Sequence, residues 1–388
     1  MKHAVATLLF LATFSASAES EWELSGFIAP DLRIFSEDPM FPGQSDDFTP
    51  SVAWQPELRW QGDDQRFTLI GFARADGTDS ERTHADIREA FWSIEGNVWD
   101  LNIGLNKVFW GVTESNHLVD VINQTDLVED FDGEDKLGQP MINLNLQQDW
   151  GLIELFVLPG FRERTFPGRD GRLRFPLPVS DSTQYEDSSG KDHIDLAVRY
   201  AHYIGDIDFA VYWFDGTSRE PMLMPGAEEF TPFYQQMTQI GIELQYTREA
   251  WLWKLEVIDR ETSTDDFVAF TAGLEYSFYG VAANGADLGI LVEWLHDDRG
   301  PMSPTTAFAD DWFIGTRLAM NDSRDTSVLA GVVLDPDSDE QFWTVEAETR
   351  FSDRLTGELR LRLFEEGDAL LSPFANDDYL QLRVNWYL

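Results

Sequence analysis

Cysteine is absent from the 388 residues of the sequence. A chain without thiols has no disulfide scaffold, no thiolate metal site and no cysteine nucleophile. Basic residues are also few, because 28 lysines and arginines stand against 70 aspartates and glutamates, and the formal net charge is −42. Since nucleic acids present dense negative phosphates, we predict no nucleic-acid partner. Hydrophobic residues still make up 43% of the chain, which is too many for an intrinsically disordered protein.

Long apolar runs are missing after the first residues. Residues 1–18 contain a basic Lys2, an apolar run from Ala4 to Phe14 and the small residues Ala16-Ser17-Ala18, which is typical of a cleavable secretory signal peptide. No later stretch approaches the roughly 18 uninterrupted apolar residues of a membrane helix. The sequence therefore predicts an exported single domain, 19–388, that can enter a membrane only as a β-barrel.

Segments of alternating hydrophobicity fill the rest of the chain. In 379–388 every second residue is apolar, and long connections alternate with tight ones such as Gly96-Asn97 and Gly205-Asp206. We count about eighteen segments; because 67–75, 84–95 and 327–334 alternate poorly, sixteen strands is the alternative. Aromatic residues at the ends of apolar faces and this alternation of loop length are typical of membrane barrels. The predicted fold is all-β: a transmembrane antiparallel up-and-down β-barrel with long extracellular loops.

The last segment also resembles the assembly signal with which bacterial outer-membrane barrels end, although the final residue is Leu388 rather than the usual Phe or Trp. This resemblance implies recognition by the barrel-assembly machinery. The location predicted from these features is the outer membrane of a Gram-negative bacterium, with its lipid and lipopolysaccharide as further partners.

Charged residues on the strands alternate with apolar ones. A midplane charge that faces hydrocarbon costs roughly 2–4 kcal/mol, so these side chains are expected to face a polar lumen. The pore-lining candidates are Arg59, Arg199, Lys254, Arg317, Arg350, Arg360, Arg362, Arg383, Glu243, Glu346, Glu348 and Glu358. The sequence does not decide between an open aqueous channel and a plug closed by salt bridges.

Five arginines cluster in the stretch FRERTFPGRDGRLRF at 161–175. They are Arg162, Arg164, Arg169, Arg172 and Arg174. Planar guanidinium groups suit carboxylate and phosphate recognition, so this loop is a candidate anion-binding constriction at the mouth. The alternative is that these arginines pair with neighbouring acids such as Glu163 and Asp170.

The sequence contains few indications of a function other than transport. There is no HExxH, GxSxG, GxGxxG or P-loop motif, so we predict no catalytic residue, no metal and no cofactor. The acidic run 130–135 lacks the later bidentate glutamate of a calcium-binding EF-hand. Two alternatives stay open: a soluble secreted β-protein that binds or hydrolyses polysaccharide, and a non-conducting barrel that acts as an adhesin or scaffold.

The stretch 104–161 resembles a group of uncharacterised, porin-like proteobacterial outer-membrane barrels. The matching residues are Trp110-Gly111, Leu118 to Asn123, Gln124, Asp126 and Pro140-Met141, whereas Lys107 and Thr125 depart from the pattern. The chain is also similar, more loosely, to alginate-export-type barrels. The resemblance implies an outer-membrane location and a transport role, without a known substrate.

Segment 107–138 mixes apolar residues that need burial with polar ones that need partners. We therefore expect it to fold into the barrel as a plug or constriction. Together these features predict a porin-like channel for passive or substrate-selective diffusion of small solutes, with anionic solutes favoured by the arginine loop.

Overall fold

The computed structural model describes residues 21–282, 285–338, 340–365 and 371–388. The predicted signal peptide, 1–18, and most of the acidic connection 365–368 lie outside the described residues. Within those ranges no helix is long and apolar enough to cross a membrane.

The described residues form twenty-one strands and two single-turn 3-10 helices, Gly190–Asp192 and Ser372–Phe374. The strands are β1 (Glu21–Phe35), β2 (Phe48–Gln61), β3 (Gln65–Asp76), β4 (His84–Glu95), β5 (Trp99–Asn106), β6 (Gln139–Gln148), β7 (Gly151–Pro159), β8 (Gln184–Tyr185), β9 (Ile194–Ile204), β10 (Ile207–Thr217), β11 (Met222–Pro225), β12 (Phe230–Tyr234), β13 (Gln236–Arg248), β14 (Trp251–Thr262), β15 (Asp266–Phe278), β16 (Asp287–Asp297), β17 (Asp310–Ala319), β18 (Ser327–Leu334), β19 (Gln341–Ser352), β20 (Leu355–Glu365) and β21 (Tyr379–Tyr387).

Eighteen of these strands form one antiparallel barrel, in which each strand pairs with its neighbours along the chain. The barrel is closed by β1 and β21, which pair from Phe27 opposite Tyr387 to Phe35 opposite Tyr379. The predicted count of eighteen is therefore confirmed over the alternative of sixteen. The weakly alternating segments are strands β3, β4 and β18, and a bulge between Ile70 and Gly71 disturbs the register of β3 against β4.

The two ends of the barrel differ in their connections, as predicted. Tight turns such as 62–64, 96–98, 149–150 and 205–206 lie at one end, which we call the turn end. Long connections, the longest being 107–138 and 160–193, lie at the other, which we call the loop end. There β8, β11 and β12 form a small separate sheet from residues of two long loops. The barrel therefore carries its irregular structure on one side only.

The outer face of the barrel is apolar. Trp54, Ile240 and Trp312 are 50%, 49% and 42% exposed, and many other large hydrophobic side chains share this arrangement. Aromatic rings concentrate near both rims: Trp251 and Trp253 stack at the turn end with centroids 5.6 Å apart, and Trp294 and Trp312 stack near the loop end at 6.1 Å. Polar residues occupy the alternate positions and face the lumen, because successive strand residues point to opposite faces.

Candidate functional site

Segment 107–138, the inserted loop, crosses the lumen. It leaves the end of β5 and reaches inward-facing residues of β14 and β16 on the far wall. Val119 and Ile122 are fully buried and pack in one cluster with Leu158, Phe214 and Ile258 of the wall. The prediction that this segment folds into the barrel is confirmed.

Two wall carboxylates hold the turn of the inserted loop. Glu256 Oε1 accepts hydrogen bonds from the Val112 amide at 2.7 Å, the Thr113 amide at 3.0 Å and the Thr113 hydroxyl at 2.7 Å. Its Oε2 accepts the Val119 amide at 3.2 Å. Glu293 accepts the Glu114 amide at 2.9 Å, and the Ser115 amide at 2.8 Å and hydroxyl at 2.6 Å. Glu256 and Glu293 therefore satisfy backbone donors that the lumen would otherwise leave unpaired.

Wall arginines hold the next part of the loop by its carboxylates. Arg74 donates to both oxygens of Glu129, at 2.6 to 2.9 Å, and His84 Nε2 lies 2.8 Å from Glu129 Oε1. Burial disfavours the charged carboxylate, but His84 and Arg74 outweigh it and hold the pKa of Glu129 far below its usual value. Asp130 is fully buried and lies 2.7 Å from an Arg360 nitrogen.

Asn123 closes the base of the loop. Its side-chain oxygen accepts the Val108 amide at 2.9 Å, and its side-chain nitrogen donates to the Asn106 and Leu137 carbonyls at 3.0 and 2.9 Å. One buried amide thus joins the two ends of the insertion. Asn123 lies in the stretch that resembles other outer-membrane barrels, but the sequence alone did not indicate this bridging contact.

Two adjoining cavities, together called the passage, lie beside the inserted loop between the loop end and the turn end. A vestibule of about 330 Å³ opens on the loop side, next to Arg164, Glu220 and Arg299. A corridor of about 720 Å³ continues along β17 to β20 and reaches Ala319 and Ser327 near the turn end. The two cavities share lining residues: Ser115, His117, Phe131, Asp132, Glu134, Ala307 and Phe308. A separate chamber of about 920 Å³ lies beneath the loop on the turn side, between Phe109 and Arg199.

Four of the pore-lining candidates contact the inserted loop. Arg317 and Lys254 lie 2.5 and 3.7 Å from Glu114. Arg360 pairs with Asp130, and Arg362 lies 3.3 Å from Asp132.

The remaining candidates pair along the wall. Arg362 also bonds Glu346, and Arg199 bonds Glu243 and, at 2.5 Å, Glu154. Arg383 lies 3.0 Å from Asp31 and 3.7 Å from Glu358. Arg59 pairs with Glu57 at 2.9 Å. Arg350 pairs with Asp325 at 3.1 Å beside a turn. Glu348 is the exception: its side chain is exposed in the corridor and makes no hydrogen bond or ion pair with another described residue.

The five loop arginines do not form one anion-binding cluster. Arg172 is buried and donates to Asp377 at 2.6 Å and to the Asn376 and Glu37 carbonyls. Arg174 is buried and donates to four carbonyl oxygens, including that of Pro42 at 3.1 Å. Arg172 and Arg174 therefore tie long loops together instead of presenting free guanidinium groups to a solute.

The other three arginines are dispersed. Arg162 pairs with Asp86 at 2.8 Å, Arg169 is exposed at the surface, and Arg164 lines the vestibule, where its Nε donates to Gln124 at 3.2 Å. The arginines also do not form ion pairs with the neighbouring Glu163 and Asp170. The ion pairs of Arg162 and Arg172 are with Asp86 and Asp377, which come from other segments of the chain.

Two titratable groups of the loop border the passage. Burial favours neutral His117, but the Glu134 and Glu256 carboxylates, 2.9 and 4.0 Å from its ring nitrogens, outweigh burial and raise the pKa of His117 to about 10. Burial and the neighbouring charge of Asp130 raise the pKa of Asp132 to about 7, against the opposing effect of Arg360 and Arg362. His117 is therefore a cation at neutral pH, whereas Asp132 changes its charge near neutrality.

The closed barrel of eighteen strands resembles the folds of solved outer-membrane porins. No family model matches the chain, and no curated protein matches it. Solved structures that resemble it include a BenF-like porin from Pseudomonas fluorescens Pf-5, with 9% identity, a TM-score of 0.55 and coverage of 96% of this chain and 98% of that chain. Acinetobacter baumannii OccAB1 has 8% identity and a TM-score of 0.56, with 95% and 96% covered. Pseudomonas aeruginosa OpdL has 11% identity and a TM-score of 0.55, with 96% and 99% covered. At these identities the likeness shows the fold, which is the closed barrel of these proteins.

Proposed function

We propose that the chain is a porin-like channel through which small solutes diffuse passively across the outer membrane of a Gram-negative bacterium. The observation that carries this proposal is the corridor along β17 to β20, bordered on one side by the inserted loop and on the other by wall residues that are partly charged and partly apolar. The porin names of structures with the same fold support it.

The membrane location rests on the outer face of the barrel. Large apolar side chains exposed around the whole circumference are not stable in water, whereas hydrocarbon solvates them. A closed barrel also pairs its strand backbone groups internally, as a bilayer requires. The barrel-assembly machinery and lipopolysaccharide are expected partners on the same reasoning, and the likeness to alginate-export-type barrels stays a prediction from sequence.

The proposed mechanism needs no energy coupling and no catalysis. The inserted loop narrows the lumen, and charged groups on the loop and the wall decide which solutes pass. Glu256 and Glu293 hold the loop from one side of the lumen, and Arg74 and Arg360 hold it from the other, so the narrowing is anchored to the wall from two directions.

Reconstitution tests the proposal. The refolded chain should fractionate with membranes, shift its gel mobility on boiling and give discrete conductance steps in a planar bilayer. Removal of 112–136 should enlarge those steps, because this part of the loop occupies the lumen. Unchanged conductance after the removal would refute the constriction, and a heat-modifiable barrel that conducts neither with nor without 112–136 would refute the channel.

A second candidate is a non-conducting barrel that serves as an adhesin or scaffold. Complete burial of Val119, Ile122 and Gln124 favours it, because the base of the loop packs like a protein core. The same recordings separate the two candidates, since a scaffold gives no conductance steps.

A further inference from the structure

The corridor along β17 to β20 carries more negative than positive groups. Its lining includes six carboxylates, against three guanidinium groups and His117. The carboxylates are Glu114, Asp132, Glu134, Glu346, Glu348 and Glu358. In a confined lumen the sign of the lining charge sets which ions concentrate there.

The positive groups of the corridor are neutralised by their neighbours. Arg360 lies 2.7 Å from the buried Asp130, Arg362 pairs with Glu346 and Asp132, and Arg317 lies 2.5 Å from Glu114. Glu348, in contrast, has no partner among the described residues and stands exposed on the wall. Among the described residues, the corridor thus presents free negative charge but no free guanidinium group.

The vestibule above the corridor is lined by five lysines and arginines and His117 against four carboxylates, but most of these cations are paired. Arg219 pairs with Asp195 at 2.7 Å, Arg260 with Glu220 at 2.5 Å and Arg299 with Asp297 at 2.6 Å. Lys136 pairs with Asp120 at 3.1 Å. These four paired cations offer an arriving anion little attraction, because each already faces a carboxylate at contact distance. Arg164 is the exception in the vestibule: its Nε donates to Gln124, and it makes no ion pair with a described carboxylate.

One wall of the corridor is apolar, which is unusual for inward positions of a membrane barrel. We call this the apolar shelf; Phe313, Leu329, Val333 and Phe342 come from inward strand positions, and Phe131 and Phe308 come from the inserted loop and the connection 298–309. Phe313 and Val333 are buried beneath the half-buried Phe308, Leu329 and Phe342. The Phe313 ring lies flat on the wall because Gly315 and Gly331 leave room for it: a Cβ at Gly331 would lie 2.3 Å from the ring. The shelf and the carboxylates are adjacent, since Leu329 pairs across the strands with Glu346 and Ser327 with Glu348.

We propose that this corridor conducts cations in preference to anions and takes organic ammonium solutes with an apolar body. The apolar shelf would contact the body while Glu348, whose carboxylate has no partner among the described residues, receives the ammonium group, and the Phe rings offer a further favourable surface to a cation. This inference rests on the proposed channel function and replaces the anionic preference expected from the arginine loop.

Reversal potentials in a KCl gradient test the charge preference. For the reconstituted full chain we expect K⁺ to permeate roughly three or more times better than Cl⁻. Glu348→Gln should lower this ratio, because it removes a free corridor charge without breaking an ion pair. Glu249→Gln, which makes the same charge change at an exposed tight turn, is the matched control and should leave the ratio unchanged.

Block of the K⁺ current tests the solute class. Phenethylammonium, ethylammonium and phenylacetate form a set in which either the apolar body or the charge is changed. Phenethylammonium should block at a concentration roughly tenfold below that of ethylammonium, because its ring buries apolar area on the shelf. Phenylacetate should block least. Leu329→Gln should weaken block by phenethylammonium more than block by ethylammonium, because it removes apolar area from the shelf.

The outcomes separate this inference from the channel function itself. A channel that conducts but prefers Cl⁻, or that phenylacetate blocks best, overturns the inference and leaves the channel standing. Equal block by phenethylammonium and ethylammonium overturns the organic-cation site. A folded, heat-modifiable barrel without any conductance overturns the channel and the inference together.

Discussion

Replacing Glu256 by alanine should release the turn of the inserted loop. The carboxylate accepts three backbone amides and one hydroxyl, from Val112, Thr113 and Val119. Each buried donor left without a partner costs about 1–3 kcal/mol. Part of this is offset because a buried carboxylate no longer has to be desolvated. We expect a net loss of roughly 3–5 kcal/mol of loop anchoring, since removal of one member of a buried charged contact typically costs that much.

A loss of anchoring free energy of this size should be visible in single-channel recordings. A change of about 3 kcal/mol alters the ratio of anchored to released loop by more than about a hundredfold. The Glu256→Ala channel should therefore show larger or flickering conductance and faster proteolysis within 112–136 from the loop side. Glu256→Gln keeps one acceptor oxygen and should be intermediate.

Glu348→Ala is the control for Glu256→Ala, because it also removes an inward-facing glutamate but touches no loop donor. A gel-mobility shift on boiling establishes that each variant forms a barrel. If the Glu256→Ala barrel shows the conductance, noise and protease resistance of the parent chain, the anchoring role assigned to this carboxylate is wrong.

Two further predictions concern charge. Because the pKa of Asp132 is raised to about 7, this carboxyl group is neutral below that pH and anionic above it. The K⁺/Cl⁻ permeability ratio should therefore rise between pH 6 and 8. Asp132→Asn should remove most of this rise. A ratio that is flat in the parent chain would contradict the assignment. Arg172→Ala leaves the buried carboxylate of Asp377 without its cation and should lower the local stability of the loops 36–47 and 371–378 by about 3–5 kcal/mol. Protease should therefore cut these loops faster, while the conductance changes little. Arg169→Ala, at an exposed position of the same loop, should have no such effect.

The sequence predicts the barrel well because lipid and lumen impose a period of two on every strand. Leu380, Leu382 and Val384 lie on the predicted outer face, and the tight turns fall where the alternation breaks. The signal is weak where local geometry disturbs the period, as at the bulge beside Ile70. Strand number and direction are therefore readable from sequence, whereas local register is not.

The site is less predictable because its contacts join distant parts of the chain. The pattern places Glu256 and Glu293 on inward positions, but it does not show that backbone amides from 112–115 meet them across the lumen. The arginine cluster at 161–175 is misleading for the same reason: proximity in sequence suggested one site, whereas Arg162 and Arg172 pair with Asp86 and Asp377, far away in the chain. Only the fold decides which partner each guanidinium group meets.

The inserted loop also bears on how the barrel closes. Asp130 lies 3.6 Å from Arg33 of β1 and 2.7 Å from Arg360 of β20, so one buried carboxylate contacts strands on both sides of the β1–β21 seam. Asp31 of β1 and Arg383 of β21 pair across the seam itself at 3.0 Å. Burying these charges separately would be costly, and they compensate one another only when the seam is shut and the loop is in place. The loop carboxylate Asp130 therefore adds to the charges that hold the seam, and the charges that narrow the passage also stabilise the closed barrel.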